Sequence, residues 1–308
     1  MTAPESTHSA HQKPPGGLAN KLGVGAMRVL ARLPLSWVRA LGWALGQVLH
    51  TVAVRRRRIA RTNWALVFPE HDVVARHAAV RRHFVLFAQA WLDRSWLWEA
   101  PPDVVRRRLL LKGDLQALDG HQPTVLFAPH FVGMDAGWTA LTVHLNRRFC
   151  GIYAEQLNAD VDRWMSQGRQ RFGEPHIVAM RQGLKPLVAA LRQGLPMYLL
   201  PDMDYGTRDS VFVPFFGVQT ATITSLSRFA RMARARVVPV VSRLTKEGYE
   251  VTVHSPWANY PTGDVEADTA TMNTYLEGFI RATPEQYYWV HKRFKTRPEG
   301  EASFYAGL

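Results

Sequence analysis

Hydrophobic and polar positions follow three different rhythms along this chain. Between residues 33 and 54 the run LPLSWVRALGWALGQVLHTVAV is almost unbroken in its apolar character. About 20 apolar residues cross a bilayer core, so the run reaches the length of a marginal span, while Arg39, Gln47 and His50 weaken that reading. Trp37 and Trp43, with Arg55 to Arg58 and Arg61 just beyond, are the marks of a membrane-anchored helix with a cytoplasmic basic flank. The competing reading is an amphipathic helix packed on the protein itself; the expectation is membrane association, spanning or interfacial. Over 70–112 the rhythm becomes helical, with Val80, Phe84, Phe87, Trp91 and Leu92 at three-to-four spacing. The stretch FVLFAQAWLDRSWLW is unusually aromatic, and most of its rings are expected in the core, with some lining an apolar groove.

After Gly113 short apolar runs alternate with helical patterns, which predicts an α/β core reaching nearly to the C terminus. Strands are expected at 124–128, 149–153, 197–200, 236–242 and 249–253, and helices around 134–145, 158–172, 183–193, 222–234 and 266–282. The expected architecture is an α/β fold with a mixed central sheet flanked by helices and an N-terminal membrane-associated helix. Residues 1–18, rich in Pro, Gly, Ser and His without apolar periodicity, predict a disordered leader, and they lack the h-region of a signal peptide. The chain is thus expected to divide into a leader (1–18), a membrane-anchoring helical segment with its basic flank (19–62) and an α/β domain (63–308).

Composition narrows the partners. Lys and Arg total 38 against 25 Asp and Glu, a formal charge of +13, so the chain is suited to nucleic acid, acidic headgroups or an acidic protein. Cys150 is the one cysteine; it excludes an intramolecular disulfide and a multi-cysteine metal site, and a lone Cys is more often a small buried hydrophobe than a nucleophile. There is no His-Glu-x-x-His zinc spacing, and no metal or cofactor is expected.

The candidate chemistry lies in VLFAPHFVGMDAG. Pro129 ends a strand, His130 stands at its carboxyl edge, and Asp135 falls near the start of the next helix. Ligand sites of α/β sheets lie at the carboxyl ends of strands. An imidazole there is able to take a proton from an attacking hydroxyl while a carboxylate steadies its other nitrogen. A His-x4-Asp pair also arises by chance in a chain with 12 histidines, and Asp135 is equally placed to favour a helix dipole, with His130 a satisfied core residue. Three further stretches weigh in: GRQRFG with Arg169 and Arg171; PDMDYGTRDSVFVPFFG, with Asp202 and Asp204 after a strand and an apolar patch for lipid; and the basic-aromatic WVHKRFKTRP.

Taken in order, these blocks, with TATITSLSRFARMARARVVPVVSR after the third and RRRRIARTNWALVFPE near the start, resemble the bacterial lipid A biosynthesis acyltransferases over roughly residues 25–298. The resemblance implies an acyltransferase at the cytoplasmic face of the bacterial inner membrane. It implies acyl-carrier protein as donor and, as acceptor, a 3-hydroxyacyl chain on a phosphorylated glycolipid. It further implies His130 as general base, Asp135 as its carboxylate partner, Arg169 as a holder of anionic substrate and Asp202 as a functionally important acid. Asp135 stands where many members have Glu, and Met203 where His or Gln is more usual. The competing readings are the same chemistry on another glycolipid or lipid-like acceptor, a basic nucleic-acid-binding protein, and a hydrolase. No nucleic-acid module is recognisable, and Gly-x-Ser-x-Gly is absent.

Overall fold

The computed structural model describes residues 17–308, so all but the last two residues of the expected leader lie outside the described residues. Four helices come first: α1 (Leu18–Leu30), α2 (Leu35–Val52), α3 (Val54–Val67) and α4 (Val73–Glu99). Asp72 caps α4 by accepting from the Ala75 amide at 2.7 Å. Pro101 and Pro102 then end it and open α5 (Pro102–Arg108), as proline does at a first helical turn.

The apolar run 33–54 becomes α2, bounded by Pro34 and Ala53. Its buried stripe is Val38, Gly42 and Gly46, and it lies so close to α4 that a Cβ on Gly46 would sit 2.5 Å from Val85 Cα. The opposite face leaves Trp37 65% exposed and Val52 65% exposed, with Leu41, Trp43 and Val48 also open. Among the described residues no helix is long and apolar enough to cross a membrane. Half of the arginine run is tied to backbone: Arg56 donates to Val290 O at 3.0 Å and Arg57 to Thr51 O at 2.7 Å.

The remaining elements alternate: β1 (Leu109–Gly113), β2 (Thr124–Phe127), α6 (Met134–His144), β3 (Cys150–Tyr153), α7 (Ala159–Arg169), β4 (His176–Ala179), α8 (Lys185–Arg192), β5 (Met197–Leu199), β6 (Ser210–Phe215), β7 (Val218–Ile223), α9 (Ser225–Ala233), β8 (Arg236–Leu244), β9 (Tyr249–Val253) and α10 (Val265–Ala282). Seven strands form one sheet in the order β1-β9-β8-β2-β5-β3-β4. All neighbours are parallel except β8 and β9, so the sheet is mixed, as expected. Central β2 is buried on both faces and divides the core. Val125 and Phe127 pack with α8, α9 and α10 on one side, and Leu126 with α6 on the other.

One expectation needs correction. The stretch VFVPFF is not a lipid patch: it is β6, paired with β7 in a hairpin, and strand alternation turns Val213 and Phe215 into the core. The basic-aromatic WVHKRFKTRP is partly interior, with Trp289, Arg293 and Phe294 buried. Arg293 donates to Ala221 O at 3.1 Å and to the Thr222 hydroxyl at 2.9 Å.

Candidate active site

Strands β2 and β5 are parallel, with Phe127 opposite Leu199, and the pairing continues as the Ala128 amide donates to Leu199 O at 2.9 Å. Each strand then ends through a proline, in Ala128-Pro129-His130 and Leu200-Pro201-Asp202. His130 and Asp202 therefore stand the same number of residues beyond a paired position, side by side at the carboxyl edge of the sheet. Their contact is direct. His130 Nδ1 lies 2.7 Å from Asp202 Oδ1, and the His130 amide donates to Asp202 Oδ2 at 2.9 Å.

An ionised carboxylate only accepts, so this geometry places the imidazole proton on Nδ1 and leaves Nε2 as the basic nitrogen. Burial pushes the Asp202 carboxyl upward, but the His130 charge and its two hydrogen bonds, with Arg293 nearby, outweigh burial and hold it below the usual range. The backbone on both sides of His130 is fixed by the segment 286–288. Tyr288 N donates to His130 O at 2.9 Å and Val132 N to Gln286 O at 2.8 Å. Gln286 is itself held between the amide and carbonyl of Leu244, at 2.7 and 3.1 Å. EQYYWVH thus buttresses the histidine, a role that sequence reading did not assign.

Asp135 does not supply the carboxylate that His130 contacts, and the expected pairing is corrected accordingly. The turn at 131–133 intervenes, and Asp135 lies in the first turn of α6, where two guanidiniums take it. Arg169, at the end of α7, donates Nε to Oδ1 at 2.8 Å. Arg94, in the last turns of α4, donates Nε to Oδ2 at 2.8 Å and brings Nη2 to 2.7 Å of the same oxygen. Burial opposes ionisation of Asp135, yet Arg169 and then Arg94 overcome it and hold its carboxyl at about 2. Arg94 was missed from sequence. The signal was Asp93-Arg94, two charges inside the apolar AQAWLDRSWLW. Asp93 is fully buried too, paired with Arg39 of α2 at 3.1 Å and accepting from Tyr249 at 2.7 Å and Trp96 at 2.9 Å.

His130, Arg94, Asp135 and Arg169 line one cavity of about 540 Å³ whose other walls include Phe87, Trp91, Trp138, Ile152, Met165 and Leu200. That size and apolar lining with a few convergent polar groups suit a ligand. Met203 is buried and also lines it. Asp202 stands behind the histidine, fully buried. Asp204 accepts from the Thr296 hydroxyl at 2.8 Å and from the Gly206 amide at 2.9 Å, and so shapes the loop. Arg171 turns away to Leu97 O at 3.3 Å and to Ala100 O. Burial pushes the Cys150 thiol up to about 12, which makes it a poor nucleophile. Among the described residues no three His, Cys, Asp or Glu side chains gather to hold a metal.

Residues 7–296 match the family profile of the bacterial lipid A biosynthesis acyltransferases. The chain is 33% identical over 292 residues to the lipid A biosynthesis lauroyltransferase of Escherichia coli K12, covering 92% of this chain and 94% of that protein. It is 30% identical over 294 residues to the lipid A biosynthesis palmitoleoyltransferase of the same organism, covering 92% and 93%. To a lipid A biosynthesis acyltransferase of Haemophilus influenzae it is 30% identical over 285 residues, covering 91% and 88%.

Proposed function

Because the chain belongs to the bacterial lipid A biosynthesis acyltransferases, and is therefore an acyltransferase, we propose that it moves a fatty acyl chain from acyl-carrier protein to a 3-hydroxyacyl hydroxyl of a lipid A precursor. The observation that carries this reading is an imidazole backed by a buried carboxylate, 2.7 Å away, on the wall of an apolar cavity. His130 Nε2 takes the hydroxyl proton as that oxygen attacks the thioester carbonyl carbon. Asp202 keeps the Nδ1 proton and stabilises the imidazolium. Collapse of the tetrahedral intermediate breaks the carbon–sulfur bond, and the proton on Nε2 goes to the leaving thiolate. The products are an acyloxyacyl ester and the free carrier thiol, with no covalent enzyme intermediate. Asp135 acts through Arg169 and Arg94, which hold substrate anion, rather than through the histidine.

The acceptor, on this reading, reaches the cavity from the cytoplasmic leaflet of the inner membrane. The exposed face of α2 lies in the interface, and Arg55 and Arg58, exposed beside it, meet anionic headgroups. An acidic carrier protein is drawn by the same net charge of +13. The test is thiol release from an acyl-carrier-protein thioester with and without a phosphorylated hydroxyacyl disaccharide. Release that depends on this acceptor, and is lost in His130→Ala, is expected. Equal release without acceptor would make the protein a thioester hydrolase instead.

A further inference from the structure

Among the residues lining the cavity Asp135 is the one carboxylate, while Arg94 and Arg169 are two fixed cations. A structural ion pair needs one guanidinium per carboxylate, so the second leaves a positive charge without a counter-charge among the lining residues of a largely apolar cavity. Such a charge is costly unless an anion arrives to meet it. It is also held ready. Arg94 lies 5.9 Å from the Trp91 ring centroid and 5.8 Å from that of Trp98, and Arg169 lies 5.3 Å from that of Tyr153. Trp138 Nε1 donates to Arg169 O at 2.7 Å, and the neighbouring Asp93, pinned by Arg39, fixes this turn of α4. Arg169 spends only Nε on Asp135, and Arg94 only Nε and Nη2. The remaining donors, Arg169 Nη1 and Nη2 and Arg94 Nη1, bond to nothing among the described residues and are not sealed in protein.

We propose that Arg94 and Arg169, bridged by Asp135, form a phosphate-binding site inside the cavity, with Arg94 supplying the charge and the further donor that the Asp135–Arg169 pair alone would lack. Guanidinium donors on two sides of one bridging carboxylate, two from Arg169 and one from Arg94, suit the several acceptor oxygens of a phosphate. The origin of that phosphate rests on the acyl-transfer reading, in which both the glycolipid acceptor and the phosphopantetheine arm of the donor carry one.

The test uses the full-length protein in detergent micelles. Inorganic phosphate, compared with chloride of equal ionic strength, is expected to raise the melting temperature of the wild-type protein by more than it raises that of Arg94→Gln, since the general stabilisation of the folded state by phosphate is common to both and only the excess reports the site. In steady-state transfer, Arg94→Gln is expected to raise KM for the phosphate-bearing substrate by about tenfold. Its dephosphorylated counterpart should show a much smaller rise. Acceptors with and without phosphate form one arm, and acyl-phosphopantetheine against acyl-pantetheine the other, so the arm that shows the effect names the source. Arg94→Lys, which keeps the charge but loses the fork, should fall between. A loss confined to kcat and equal on all four substrates, or phosphate stabilisation intact in Arg94→Gln, overturns the site. Should Arg94→Gln fail to fold, Arg94→Lys takes its place, and a phosphate shift and KM equal to those of the wild-type protein overturn the site. If the wild-type protein transfers no acyl chain, the functional reading fails while the melting comparison still decides the phosphate site.

Discussion

Asp202 and Asp135 are both buried carboxylates at one cavity, and their partners separate their roles. In the proposed reaction Asp202 faces an imidazole whose protonation changes, whereas Asp135 faces two guanidiniums that stay charged throughout. Asp202→Asn is therefore expected to cut kcat by about 10³–10⁴-fold, because the amide holds the wrong tautomer, with the circular dichroism spectrum unchanged. Asp135→Ala should lower activity together with stability, by roughly 3–5 kcal/mol in urea unfolding, since it strands two partly buried cations. A second residue-scale prediction concerns acid. Burial, only partly offset by the hydrogen bond to Glu285 O, lowers His83 to about 4, while an unfolded histidine titrates near 6.5. The unfolded chain thus takes up its proton first, and stability present at pH 7 is lost as pH falls through this window. His83 accounts for about 2 kcal/mol between pH 7 and 5. His291, also lowered to about 4 by burial and then by the His130 charge, acts in the same direction. Urea midpoints at the two pH values check this, and His83→Gln should show a smaller drop.

At the scale of elements, the α2–α4 contact offers the clearest single change. Gly46→Leu puts a side chain where Val85 Cα leaves a Cβ only 2.5 Å. Urea unfolding should report a loss of at least about 1–3 kcal/mol. The elements most legible in sequence were those with local signals: β2, β5, β8 and β9 as apolar runs, and α6 and α10 as periodic stretches with clear starts. Strand β1 was absorbed into an expected helix over 70–112, because β9, its partner among the described residues, lies far along the chain and no local pattern announces a parallel pairing. The β6–β7 hairpin was missed because its turn is Phe216-Gly217, both at positive φ, rather than the more familiar Asn-Gly. The site was half legible for the same reason. His130, Arg169 and Asp202 were named, but a spacing of five residues drew Asp135 to the histidine in place of Asp202, 72 residues away. The matching Pro-His and Pro-Asp strand ends held that information, and it became readable only once β2 and β5 were known to be neighbours.

The whole molecule combines an open apolar face on α2, exposed arginines beside it and a cavity walled by α4, the helix against which α2 lies. Residues of α4 serve both sides: Val85 and Gln89 meet α2, while Phe87, Ala90, Trp91 and Arg94 line the cavity. Sedimentation with anionic vesicles is expected to carry the protein down, less so as salt rises. Replacing Trp37 and Trp43 together with Ser should weaken this partitioning at least about tenfold, and undiminished binding would move the contact to another surface. In the proposed reaction His130, oriented by Asp202, activates the glycolipid hydroxyl that takes up the acyl chain. The most direct measurement is the product mass of a phosphorylated hydroxyacyl disaccharide after incubation with acyl-carrier-protein donors and, in parallel, the wild-type protein, His130→Ala and Asp202→Asn. A gain of one acyl chain is expected with the wild-type protein, none with His130→Ala and only traces with Asp202→Asn. A full gain with either folded variant would contradict the proposed reaction.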